Sequence, residues 1–265
     1  MDIFLSSASC YKKEMYLMKT KRLIAAILAV VMCLSAMALL SSCGNSKKDD
    51  AGITVQIGPN PETLDPALNS TVDGGNMLIT LYETLLIIDE DNKVQPGQAE
   101  KYTVSEDGLT WTFTMRDGLK WSDGTELNAK DFEYTFKRLT NTELAAPYAE
   151  TVIGMVEGYQ DAIGNPDKDG KPTTTPDPDK LNVVASEDGK TLTVKLAYPC
   201  SYFDKIVAFG TMSPVQKATV EANGDSWATK PDTYVCNGPY MITEWTPGER
   251  IVCKKEPELQ RWLGF

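Results

Sequence analysis

Apolar and polar positions alternate most cleanly in Thr110-Trp-Thr-Phe-Thr-Met-Arg116, where Trp111, Phe113 and Met115 share one face and threonines the other. A period of two predicts a half-buried strand. The turn Glu106-Asp107-Gly108 leads into it, with a glycine available for positive φ. Ser186-Glu-Asp-Gly-Lys-Thr-Leu-Thr-Val194 echoes Ser105-Glu-Asp-Gly-Leu-Thr-Trp-Thr-Phe113, which predicts two hairpins using one turn solution. The echo is too short to indicate duplication. Alternation over Ile53–Ile57 predicts a first strand, ended by Gly58-Pro59-Asn60-Pro61. Asn237-Gly-Pro-Tyr240 predicts a turn entering a strand that reaches Trp245, and Ile251–Cys253 begins another after Pro247-Gly248.

Helical spacing appears twice. Met77, Leu78, Leu81 and Leu85 recur near a period of 3.6 and predict a helix over Met77–Leu86, preceded by the glycine-bearing loop Ser70–Asn76. Phe132, Phe136 and Leu139 give an apolar face to a helix from Ala129 to Leu139, capped by Asn128 with Asp131 at its positive end. Gly164–Lys180, rich in Pro, Asp and Thr, predicts an exposed loop. Within it Asn165-x-Asp167-x-Asp169-Gly170 imitates the start of a calcium loop, but Pro176 stands where a bidentate glutamate is needed, so it reads as a solvated turn. Strands and helices are interspersed: a mixed α/β architecture.

The apolar run Leu23–Leu40 follows Lys19-Thr20-Lys21-Arg22 and closes in Leu40-Ser41-Ser42-Cys43-Gly44. A basic head, a hydrophobic run and small residues before a cysteine resemble a bacterial lipoprotein signal, whose cysteine receives lipid. Cys43 is then the lipidation site, and the segment after it is exported and membrane-tethered. The rival is an uncleaved transmembrane helix, which the run is just long enough to form. Interspersed alanines and the terminal cysteine favour the signal, and Met18 would give it its conventional length. The predicted division is 1–42 extension and signal peptide, 43–52 tether, 53–257 folded lobe, and 258–265 a tail.

Charge and composition then narrow the function. The chain has 26 basic and 37 acidic residues, and Lys12, Lys13, Lys19, Lys21 and Arg22 all precede Cys43. So acidic a body disfavours nucleic acid. A 42% hydrophobic share and five tryptophans suit a sizeable core. Histidine is absent, which removes Ser-His-Asp and Cys-His nucleophilic sites and histidine-ligated metals. Cys200, Cys236 and Cys253 form no metal or redox motif and read as small buried side chains, or as one disulfide with a free thiol. Trp111, Trp121 and Trp245 read as core, and Asp65, Asp107 and Asp123, beside proline or glycine, as turn carboxylates.

Taken in order, Glu62-Thr-Leu-Asp-Pro66, Leu81-Tyr-Glu-Thr-Leu85, Pro96-Gly-Gln-Ala-Glu100 and Trp111–Thr125 resemble one family, as do Ala129-Lys-Asp-Phe132, Ala146-Pro-Tyr-Ala149, Ser213-Pro-Val215 and Asn237-Gly-Pro-Tyr240. This is similar to the oligopeptide- and dipeptide-binding proteins of ABC importers, the family 5 solute-binding proteins, from about Val55 to Lys255. The resemblance implies a periplasmic-binding-protein-like fold with an extra N-terminal subdomain, closing on its ligand between two lobes. The family's chains are roughly twice as long, and this one departs from the pattern at Pro257. It therefore reads as a truncated first lobe with the second lobe missing.

The resemblance also supplies candidate ligand residues. Ser70, Thr71 and Val72 match a loop that contacts the peptide main chain, and an extended backbone there would pair with a peptide; the alternative is an ordinary loop. Tyr148 matches a cavity-lining tyrosine, against the alternative of a partly buried surface side chain. Asn237 and Gly238 sit near the interlobe crossing by analogy, with a turn role as the alternative. No catalytic residue, metal or cofactor is expected. The implied function is capture of an oligopeptide on the extracytoplasmic face and delivery to permease subunits of an ABC importer. Alternatives are another solute (a nickel complex, haem or an oligosaccharide) or a carboxylate-based surface hydrolase.

Overall fold

Trp111, Phe113 and Met115 are all buried, and the strand that carries them is the centre of the largest sheet. The computed structural model describes residues 54–255. In chain order these form helix α1 (Val72–Leu81), the hairpin β1 (Leu86–Ile88) and β2 (Val94–Pro96), strands β3 (Ala99–Val104) and β4 (Thr110–Met115), and helix α2 (Ala129–Arg138). Short helices α3 (Ala149–Ile153) and α4 (Tyr159–Ala162) precede β5 (Val183–Ala185) and β6 (Thr191–Lys195). Helices α5 (Phe203–Ile206) and α6 (Lys217–Asn223) lead to β7 (Tyr240–Thr246) and β8 (Arg250–Lys255). The main sheet is antiparallel in the order β3-β4-β6-β5, while β7 and β8 form a separate hairpin.

The two echoed segments are the two hairpins of that sheet, joined through β4 and β6. Their turns match bond for bond. The Ser105 hydroxyl donates to Asp107 at 2.5 Å and accepts from the Thr110 amide at 2.9 Å; Ser186 does the same with Asp188 at 2.5 Å and Thr191 at 3.0 Å. Gly108 and Gly189 take φ of 73° and 69°, the left-handed region that glycine enters without strain.

Helix α2 lies against β5 and β6 with Phe132 and Phe136 fully buried. Its start is the predicted cap: Asn128 Oδ1 accepts from the Lys130 amide at 3.0 Å, and the Asp131 carboxylate accepts from the Asn128 amide at 2.9 Å. Burial pushes the Asp131 carboxyl up to about 6, against the pull of that amide.

Three expectations need correction, and one alternative falls. Thr54–Ile57 forms no strand; Val55 is 69% exposed, and alternation without a ladder partner does not hold an extended segment. Helix α1 begins at Val72 and ends at Leu81, so the glycines read as a loop belong to its first turns and Leu85 lies outside it. The reason is close packing: a Cβ on Gly74 would stand 2.0 Å from Asn69 Oδ1. Trp245 is only half-buried, its indole N–H donating to Asn60 Oδ1 at 2.9 Å. Among the described residues Cys200, Cys236 and Cys253 form no disulfide with one another, which leaves the reading as small side chains: Cys200 and Cys236 are buried and Cys253 half-buried.

The Gly164–Lys180 segment is irregular apart from a bridge between Pro166 and Pro172 and a short 3-10 turn at Pro178–Lys180. Asp167 Oδ1 closes its tip by accepting from the amides of Asp169 and Lys171. The signal run, Cys43, the tether and the tail after 257 lie outside the described residues.

Candidate functional site

Five of the six predicted ligand residues lie at the two ends of helix α1. At its N-terminus, Thr71 is extended (φ −113°, ψ 150°) and its hydroxyl accepts from the Gly74 amide at 3.1 Å. Asn69 Oδ1 accepts from the Thr71 amide at 3.3 Å, so the loop approaches the helix in a fixed path. Ser70 and Thr71 are exposed. Val72 is 81% exposed, yet it is the first helical residue, so the extended backbone ends at Thr71.

What fixes this loop is Asp65, and here the reading of a simple turn carboxylate is too small. Its backbone carbonyl does accept from Leu68 and Asn69, but its side chain is buried in an ion pair. Arg138 of α2 donates to it from Nη1 at 2.9 Å and Nη2 at 2.5 Å, and Trp227 Nε1 adds a contact at 3.3 Å. Bidentate geometry of this kind orients both planes. Asp107 and Asp123 act as expected, accepting from the amides of Leu109 and Thr125.

Tyr148 stands just before α3, half-buried, its ring edge-on to Phe209 at 5.5 Å and 84°. Among the described residues its hydroxyl has no hydrogen-bond partner. The turn that follows Phe209 rests on α1: a Cβ on Gly210 would stand 3.7 Å from Leu78 Cδ1. Sequence reasoning missed Phe209, since a lone aromatic before a glycine has no periodicity to reveal it.

Asn237 and Gly238 meet the other end of α1. The Asn237 carboxamide is buried and engaged at both ends, accepting from the Glu83 amide at 3.1 Å and donating to the Glu83 carbonyl at 2.8 Å. Gly238 N–H donates to the Leu81 carbonyl at 2.8 Å, and a Cβ there would meet the Leu81 backbone at 2.5 Å. Both residues position the chain leaving α1. Beyond them, the buried Glu83 carboxylate accepts from Gln98 Nε2; burial pushes it up, opposed by Gln98 and the charge of Arg116. A charge inside the apolar run Leu81–Leu86 was the signal for it.

A cleft of about 380 Å³ lies elsewhere, between the β4 exit and the Asp188–Lys190 turn, with charges of both signs at Arg116, Lys120, Glu126 and Lys190. None of the predicted ligand residues borders it. Among the described residues no cluster of acidic or cysteine side chains is placed to hold a metal ion.

Residues 93–262 match the model of bacterial extracellular solute-binding proteins, family 5 (middle). The chain belongs to this family. It is 36% identical over 241 residues to the periplasmic oligopeptide-binding protein OppA of Salmonella typhimurium, covering 90% of this chain and 42% of that protein. It is 36% identical over 222 residues to the oligopeptide-binding protein OppA of Bacillus subtilis, covering 82% and 38%. Among solved structures, Haemophilus influenzae OppA in complex with the peptide RPPGFSPFR superposes with a TM-score of 0.69 at 32% identity, covering 77% of this chain and 38% of that one. The chain thus spans about two-fifths of the length of the family 5 relatives it matches. The mixed α/β fold of the described residues is that of part of a periplasmic oligopeptide-binding protein.

Proposed function

We propose that this chain supplies the first lobe of a lipid-anchored receptor that captures oligopeptides outside the cytoplasm and delivers them to an ABC importer. The observation that carries the reading is the family membership, with relatives named for oligopeptide binding over most of this chain. Mechanism is capture and release, with no bond made or broken. The exposed Ser70, ahead of α1, offers its backbone to a peptide, Thr71 beside it being held by Asn69 and Gly75, the exposed Val72 side chain follows, and Tyr148 offers a ring and an unpartnered hydroxyl. Helix α1, about 15 Å long, spans roughly four residues of extended peptide. Asn237 and Gly238 serve the site by fixing where α1 ends.

The test is calorimetric titration of the purified chain with a panel of di- to nonapeptides. Saturable binding lost in Tyr148→Ala supports the reading; no binding to any peptide sinks it. Labelling with radioactive palmitate, lost in Cys43→Ser, tests the anchor. A second reading has one observation behind it: a relative 33% identical over 198 residues is the probable deoxycholate-binding periplasmic protein YgiS of Escherichia coli. Deoxycholate in the same titration separates the two.

A further inference from the structure

We propose that the cleft between the β4 exit and the Asp188–Lys190 turn is a second ligand site, which takes a small zwitterion: a free α-amino acid with an apolar side chain. The hairpin that forms one wall decides the chemistry. The Leu127 amide donates to the Leu119 carbonyl at 3.1 Å, and the Trp121 amide to the Thr125 carbonyl at 2.9 Å. These two bonds flank Lys120 and Glu126, which stand opposite each other across an antiparallel bridge. Theirs is the non-hydrogen-bonded kind of pair, in which the side chains lie closest on one face. Opposite charges in that position normally join. Here, among the described residues, Lys120 makes neither an ion pair nor a side-chain hydrogen bond, and Glu126 accepts only a 3.3 Å contact from Asn128 Nδ2.

The other charges of the cleft are engaged. Lys190 Nζ pairs with Asp117 Oδ1 at 3.0 Å, Arg116 Nε donates to the Gly97 carbonyl at 2.6 Å, and the Asp188 carboxylate accepts from the Ser186 hydroxyl and the Lys190 amide. An open cation and an open anion thus remain side by side on the cleft wall. An α-amino acid carries its ammonium and carboxylate on one carbon, so it can bridge the two by charge-assisted hydrogen bonds. The frame is fixed: the Ser122 amide donates to the Cys236 carbonyl at 2.8 Å, and its hydroxyl accepts from the Cys236 amide at 3.1 Å. The cleft, about 380 Å³ in volume, is at the small end of ligand pockets, which run from about 300 to 1,000 Å³. That suits an amino acid and not an extended oligopeptide. Met115, Leu119 and Leu127, all buried, line it as well and give an apolar side chain a surface to rest on. The site shares no residue with the ends of α1 or with Tyr148, so it does not rest on the peptide reading.

The experiment is calorimetric titration of the purified chain with L-leucine, with N-acetyl-L-leucine, which lacks the ammonium, and with L-leucinamide, which lacks the carboxylate. Leucine is expected to bind saturably and each derivative about tenfold more weakly, or worse. Lys120→Gln should weaken leucine about tenfold and leave leucinamide unchanged, while Glu126→Gln should weaken leucine and leave N-acetyl-leucine unchanged. Both positions are exposed, so both variants should unfold at the wild-type urea midpoint. Tyr148→Ala should bind leucine as the wild type does. The proposal is overturned if leucine does not bind, if either derivative binds as well as leucine, or if both charge variants bind leucine like the wild type. Loss of leucine binding in Tyr148→Ala overturns it too, since leucine would then occupy the peptide site. A chain that binds leucine in this pattern but no peptide would keep this site and sink the peptide reading alone.

Discussion

Arg138 and Asp65 stand 73 positions apart and meet as a nearly buried bidentate pair, with Trp227 on the same carboxylate. Neither partner announces the other in sequence: Asp65 read as a turn residue because Pro66 follows it, and Arg138 as the end of an amphipathic helix. Local rules made the turn legible, while the ion pair needed the fold. Arg138→Met leaves the carboxylate buried without its cation and is expected to cost about 3 kcal/mol in urea unfolding. A loss below about 1 kcal/mol would show that water reaches Asp65. Asp131 was legible from its spacing to Asn128, but its burial was not. Because folding raises its carboxyl to about 6 from 3.8, the folded state holds the proton more tightly than the unfolded chain. Its charge therefore opposes folding at high pH: stability falls as pH rises from about 4 to 6, then levels off. Asp131→Asn should flatten that segment of the urea-midpoint profile, and a parallel profile would refute the assignment.

Helix α1 shows where propensity misleads. Gly74 and Gly75 read as a loop since glycine disfavours helix by about 1 kcal/mol. The structure separates them. Gly74 is buried against Asn69, the residue that shapes the entry to the helix, whereas a Cβ on Gly75 would find its nearest neighbour, Asn69 Nδ2, at 3.7 Å. Gly75→Ala is expected to raise stability by about 0.5–1 kcal/mol, and Gly74→Ala to lower it by about 1–3 kcal/mol through displacement of Asn69. Thermal unfolding of the two variants decides it; an equal gain in both would mean that the loop yields freely. The main sheet was easier to read, because β4 has both a strict period of two and a buried face, and each turn carries its own serine, aspartate and glycine.

At the scale of the molecule, the early and late parts of the described chain close on each other. The Leu64 amide bonds the Ala228 carbonyl, Tyr234 the Leu64 carbonyl, Tyr82 the Val235 carbonyl, and Gly238 the Leu81 carbonyl. Fold class was legible in the order of short motifs, which is a property of the whole sequence. The roles of Asn237 and Gly238 were not, since a turn signal says nothing about a partner 154 positions away. Asn237 is the clearest place to tell positioning from ligand contact. Asn237→Ala leaves the buried amide and carbonyl of Glu83 without their partners, which is expected to cost about 2–4 kcal/mol. Asn237→Asp keeps an acceptor for the amide but sets an oxygen against the carbonyl, so it should be at least as damaging near neutral pH. Both losses should appear in urea unfolding with no peptide present. A variant that unfolds like the wild type yet loses peptide affinity would instead place Asn237 at the ligand. With its carboxamide buried and both ends occupied by one backbone, the expected outcome is the first: Asn237 holds the exit of α1.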